Sequence, residues 1–202
     1  LYQFYANVGY ADLQAMNIDK RGISRLRLQT NANFTRTPQG DLLGKVDFGG
    51  LKLENDLGKY DIGDISLTSH INDNKWKVRL NSSFADGSYT GTASVGRFIN
   101  DIKDITIRKE IPALFTEEAK AWGGNSYDLY FRCHDSMDIM SFVVPGIYIA
   151  DSTALNLKIT PDGTLTTDLR SPRIAFKEQY MKGVNLTLDN KNDKLSAELA
   201  ST

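Results

Sequence analysis

"KVRLNSSFADGSYTGTASV", Lys77 to Val95, alternates on both sides of one short turn and carries almost nothing able to do chemistry. Successive strand side chains point to opposite faces. With Trp76 ahead of it, the stretch therefore sets Trp76, Val78, Leu80 and Phe84 on one face and Lys77, Arg79, Asn81 and Ser83 on the other. Asp-Gly supplies the residue of positive φ that a tight hairpin needs, which puts the turn at Ala85-Asp86-Gly87, and Tyr89, Gly91, Ala93 and Val95 resume the alternation. The reading is a two-faced hairpin whose apolar side has no evident site.

The same pattern extends toward the N-terminus. Ile23 to Thr35 places Leu26, Leu28, Thr30, Ala32 and Phe34 opposite Arg25, Arg27, Gln29, Asn31 and Asn33, a long amphipathic strand. "TPQGD" (Thr37 to Asp41) turns the chain, and the return carries Val46 and Phe48, then Leu51 and Leu53. That phase slip at Gly49-Gly50 predicts a bulge. Tyr60, Ile62, Ile65, Leu67 and Ile71 form the next run, ended by "NDNK". Residues 1–96 are thus expected to be an antiparallel meander.

From 97 to 124 the period changes. Phe98, Ile99, Ile102 and Ile105 fall at helical spacing, and "TEEAKAWGG" offers a Thr116 cap, early glutamates and terminal glycines, which predicts a short helical interruption. A second β-run over 125–202 begins with "SYDLYFRCHD", where Tyr127, Leu129, Phe131 and Cys133 share a face. "DSMDIMSFVVPG" is a helical turn stopped by Pro145. "TALNLKIT", "GTLTTDLRSPRIAF", "GVNLTLDN" and "DKLSAELA" supply four more strands.

Composition narrows the function classes. Lys and Arg total 24 against 25 for Asp and Glu, so no net field draws in nucleic acid. The longest apolar stretch, "SFVVPGIYIA", is cut by Pro145 and Gly146 and falls short of the roughly 20 residues of a spanning helix. The chain has no initiator Met and no basic region ahead of an apolar one, which predicts one fragment of a longer repetitive β-protein. Only His70 and His134 are near-neutral bases. Cys133 and His134 are adjacent on a strand and point apart, so they do not form a nucleophile-base pair, and Asp135 and Asp138 fit a helix cap and a solvated first turn better than a carboxylate pair. With no metal-ligand spacing, phosphate loop or nucleophile elbow, the chain is expected to be no enzyme and to need no cofactor. A hydrolase with scattered acids and a ligand- or carbohydrate-binding β-sandwich remain the competing classes.

The succession of segments resembles TamB-like proteins of the AsmA-like superfamily, in the form found in Bacteroidetes. "KVRLNSSFADGSYTG" is similar to their recurring hairpin, with Ser82-Ser83-Phe84 where an acidic residue is usual. Downstream, a strand, a short helix, Pro145 and a further strand precede Ser171-Pro172-Arg173-Ile174, similar to the family's "L-x-S-P-x-I" element. The resemblance implies a mostly β fold, a long antiparallel sheet curled into a taco-like groove and interrupted by short helices. It implies an internal segment of a periplasmic protein of the cell envelope, anchored in the inner membrane outside this segment. Such proteins move phospholipid between membranes and support outer-membrane protein assembly. The implied partners are phospholipid acyl chains and, through other parts of the parent, an outer-membrane barrel of the Omp85 type. On that reading the apolar face is the site, a track formed by Leu26, Leu28, Phe34, Val46, Phe48, Ile65, Leu67, Trp76, Val78, Leu80, Leu157, Ile159, Leu186 and Leu188. An ordinary two-sheet sandwich would bury the same alternating residues against its mate.

Overall fold

The computed structural model describes residues 1–17, 24–38, 41–108, 121–191 and 194–202. The turn before the quoted stretch sets its register. Asp73 and Asn74 both have positive φ, 51° and 56°, the backbone of a type I′ turn, which short Asp and Asn side chains tolerate. It joins β4 (Gly58–Asn72) to β5 (Lys75–Ser82), pairing Asn72 with Lys75 and Ile65 with Ser82. β6 (Ala85–Gly91) then returns with Asn81 opposite Asp86 and Trp76 opposite Gly91. The turn is therefore Ser83-Phe84, not Asp86-Gly87. Ser82 Oγ closes it, accepting from Ala85 N at 2.9 Å and donating to Ala85 O at 2.7 Å.

The physical reason for this correction is the pairing of faces. A turn at 85–87 would bring Ser94 opposite Val78 and Thr92 opposite Leu80, whereas the observed register brings Tyr89 opposite Val78. Phe84 accordingly leaves the strand for the turn, and Val95 opens a helix instead of continuing the alternation.

The other strands are β1 (Tyr2–Asp12), β2 (Arg25–Arg36), β3 (Leu42–Asn55), β7 (Tyr127–Cys133), β8 (Ile147–Ile149), β9 (Ala154–Ile159), β10 (Leu165–Phe176), β11 (Gln179–Asp189) and β12 (Ser196–Ala200). Among the described residues all twelve belong to one antiparallel sheet, ordered β1-β2-β3-β4-β5-β6-β7-β9-β10-β11-β12, with β8 beside the far half of β10. The sheet is not closed into a barrel. Neighbours along the ladder follow one another in sequence, except that β8 lies aside and β7 pairs with β9.

The predicted bulge is present. Pairing of β2 with β3 passes from Gln29 opposite Gly49 to Arg27 opposite Lys52, and β3 slips against β4 between Phe48 and Leu51. Gly50 has φ 57°, and its N–H is held by Asp64 Oδ1 at 2.8 Å. Gly63 answers it on β4 with φ 78°, where a Cβ would collide with Ser83 Oγ. Irregularities at one level of neighbouring strands twist and bend the sheet there.

Two helices interrupt it. α1 (Val95–Lys103) runs into one π-helical turn over 104–108. Thr116 and the segment after it, up to 120, lie outside the described residues. α2 (Met137–Val143) stops before Pro145, as expected. β5 ends at Ser82, so the first half of β4 has no strand on that side. α2 occupies the place, and the Asp138 carboxylate accepts the Asp61 backbone N–H at 2.7 Å. That contact covers an otherwise exposed sheet edge.

Candidate functional site

Because paired residues share a face, the register can be followed across the whole sheet. One row runs Phe4, Ala32, Val46, Leu67, Leu80, Gly87, Phe131, Leu155, Leu169, Leu186 and Leu199, one residue from each of the eleven strands in the ladder. The next row runs from Tyr2 and Phe34 through Val78, Tyr89, Leu129 and Leu157 to Leu188. All fourteen predicted track residues fall on this one face, since the remaining members occupy alternate positions on the same strands. The strands of a second, covering sheet are absent among the described residues, so the sandwich architecture is not formed.

The helices cover this face unevenly. Phe98 of α1 and Ile105 beyond it form a core with Tyr89, Tyr127, Ile159 and Leu165. Phe98 meets Tyr127 edge-on at 5.1 Å and Tyr89 at 5.4 Å. Trp76, Val78, Leu157 and Leu188 pack against that core, and Ile159 is 1% exposed. Of these five predicted track residues Ile159 is therefore core, and the other four are partly covered where they pack against it. Phe142 of α2 forms a second core with Leu53 and Ile62, against which Leu26 and Ile65 pack. Leu28, Phe34, Val46, Phe48, Leu67, Leu80 and Leu186 belong to neither core. Six of them lie on β2 to β5, where neighbouring Tyr2, Phe4 and Ile71 are exposed and Leu67 is 41% exposed. Tyr2 stacks on Phe34 at 5.5 Å, which carries the open part of the face to the β1 edge. The alternation of Tyr2, Phe4, Ala6 and Val8 was the sequence signal for this extension.

α1 is clamped by a buried carboxylate that strand periodicity does not reveal. Asp101, 2% exposed, pairs with Arg97 Nε at 2.7 Å and accepts from Tyr127 Oη at 2.5 Å and Asn125 Nδ2 at 2.9 Å. Burial, then the Asp101 hydrogen bond, pushes the Tyr127 phenol well above its ordinary range. Burial, then the charge of Asp101, does the same to Tyr89, whose hydroxyl donates to Ala93 O at 2.6 Å. Both rings are neutral hydrogen-bond donors.

Cys133 and His134 do not meet. Cys133 is buried opposite Ala85, and burial pushes its thiol up. His134 instead meets Asp86 Oδ2 through Nε2 at 2.7 Å. A cleft of about 480 Å³ opens beside Leu26, Leu53 and Tyr60. On its rim Arg25 pairs with Glu54 at 3.3 Å and Lys52 with Asp61 at 3.0 Å, while Arg27 Nε donates to Gly9 O at 3.2 Å. Among the described residues no three His, Cys, Asp or Glu side chains converge as metal ligands, and no helix is long and apolar enough to cross a membrane. The chain matches no family model, no curated protein and no solved structure.

Proposed function

We propose that this chain is a non-enzymatic, TamB-like segment of a periplasmic envelope protein, whose open apolar face holds phospholipid acyl chains in transit between membranes. The observation that carries the reading is one open sheet whose long apolar face has no second sheet over it among the described residues. Exposed apolar surface joined over several strands is costly in water and marks a place of contact. Acyl chains suit it because the face offers apolar contact with few directed polar groups: the hydroxyls of Tyr2, Ser69 and Ser82 lie along its open part, and that of Thr30 is buried. The track is widest over β1 to β5, since α1 covers Trp76 and Val78 and, beyond them, Leu129, Leu157, Ile159 and Leu188 on the same face.

The test is a photoreactive side chain placed at Leu80, on the open row, or at Arg79, on the opposite face. Crosslinks to phospholipid from position 80 and none from position 79 support the reading, and equal labelling of both contradicts it.

A further inference from the structure

Beyond Ser171-Pro172 the amphipathic pattern of the β10–β11 hairpin reverses. In the body of the sheet Leu169 pairs with Leu186 on the track face, and Arg170 pairs with Asn185 on the other. In the tip, Arg173 pairs with Lys182 in the parity of the track face, while Ile174 pairs with Met181 and Ile149 on the opposite side. The reversal leaves a second apolar patch, separate from the track. Phe176 and Met181 are 50% and 39% exposed there.

The tip's charge is one-sided. Residues 172–183 carry Arg173, Lys177 and Lys182 against Glu178 alone, in a chain whose overall charge is −1. Among the described residues none of these three cations is ion-paired to a carboxylate. Aromatic rings hold them instead: Arg173 lies 4.7 Å from the Tyr180 centroid and 5.8 Å from that of Tyr148, Lys182 lies 5.5 Å from Tyr180, and Lys177 lies 5.4 Å from Phe176. A ring positions a cation without neutralising it, so each charge stays available to an outside anion. Exposed apolar side chains, amphipathic tyrosines and Lys or Arg with long apolar stems are together the composition of an element at a membrane interface.

From this we infer that the β10–β11 tip docks peripherally on an anionic bilayer surface. Phe176 and Met181 enter the boundary between headgroups and acyl chains, and Arg173, Lys177 and Lys182 meet lipid phosphates. A soluble anion offers the charge but no apolar boundary, and a neutral bilayer offers the boundary but no charge. The surface fits a partner with both. The inference stands on the tip alone and does not require the track to carry lipid.

The experiment is co-sedimentation of the full chain with vesicles of phosphatidylcholine, alone or mixed with phosphatidylglycerol, at low and high salt. Binding is expected to the mixed vesicles only and to weaken as salt rises. R173E, K177E and K182E together are expected to reduce it at least about tenfold. These side chains are exposed, and circular dichroism checks the fold. A second variant, F176W, is expected to show added fluorescence quenching by acyl-brominated lipid relative to the parent chain. Equal binding to both vesicles, full binding by the charge-reversed variant, or no added quenching at position 176 each overturns the docking. Binding that survives the tip variants but is lost with L67D also overturns it while leaving the track reading intact.

Discussion

Over β6, β7, β9 and β10 the apolar face carries Tyr89, Tyr127, Ile159 and Leu165, each between 1% and 4% exposed. On the same face over β1 and β4, Tyr2, Phe4 and Leu67 are 41% to 55% exposed. Both halves are written in the same alternation of apolar and polar residues. They differ in what the chain inserts between strands. The β6-to-β7 connection contains α1, whose Phe98 is delivered onto Tyr89 and Tyr127, while β4 and β5 are joined by the two-residue turn Asp73-Asn74, which brings nothing back over the face. The alternation makes the face, and the connections decide which part of it becomes core.

The sharpest way to break this comparison is to truncate one aromatic in each half. F98A is expected to destabilise the chain by about 3–5 kcal/mol, because it empties a closed core. F34A should cost only about 1 kcal/mol, since a half-exposed ring loses part of its burial and leaves no sealed cavity. Urea midpoints measure both, and equal losses would mean the two halves are packed alike. D101A comes next, at about 2–3 kcal/mol, because Tyr127 Oη and Asn125 Nδ2 lose their acceptor in an enclosed site. A cost no larger than that of F34A would remove the clamp from the account.

The same network predicts a pH response confined to the covered half. The phenols of Tyr89 and Tyr127 titrate higher in the folded chain than their ordinary value of about 10. The folded state therefore holds those protons more tightly than the unfolded state. Their contribution is fully present below about pH 10 and is lost as pH rises through the raised folded values. Melting temperature should fall above about pH 10, and Y127F should flatten that fall. A melting temperature that does not change across this range would contradict the burial of both rings. C133A is expected to cost about 1 to 2 kcal/mol, with slow alkylation of the native thiol in the parent chain. Loss of cellular function in a folded C133A chain would contradict its role as packing.

Much of this fold was legible in particular residues. Leu26 through Phe34 and Val46 with Phe48 announced β2 and β3 by period alone, and Gly49-Gly50 announced the bulge because one extra residue in a strand shifts the alternation by one, and glycine accepts the backbone it needs. The Asp86-Gly87 signal misled because turn preference is local and weak beside the pairing of Val78 with Tyr89. Phe98, Ile102 and Ile105 declared a helix, but helical spacing does not say which strands the helix will meet, so the burial of Ile159 and the partial covering of Trp76 were invisible. Asp101 and Tyr127, 26 positions apart, become partners only once α1 has docked. The reversal at Ser171-Pro172 was hidden because β10 reads as one strand, and only its pairing with β8 and β11 exposes the exchange of faces.

The central claim is that the half of the face left uncovered is the working surface. Its most direct test is phospholipid capture by a photoreactive residue at position 80, in the parent background and with L67D, alongside circular dichroism of both. Leu67 pairs with Leu80 and Val46 and is already 41% exposed, so an aspartate there charges the track while leaving both helix-covered cores intact. The account predicts capture by the parent background and its loss in L67D with an unchanged spectrum. A folded chain that captures no phospholipid, or one that captures it equally with the charge in place, would contradict it.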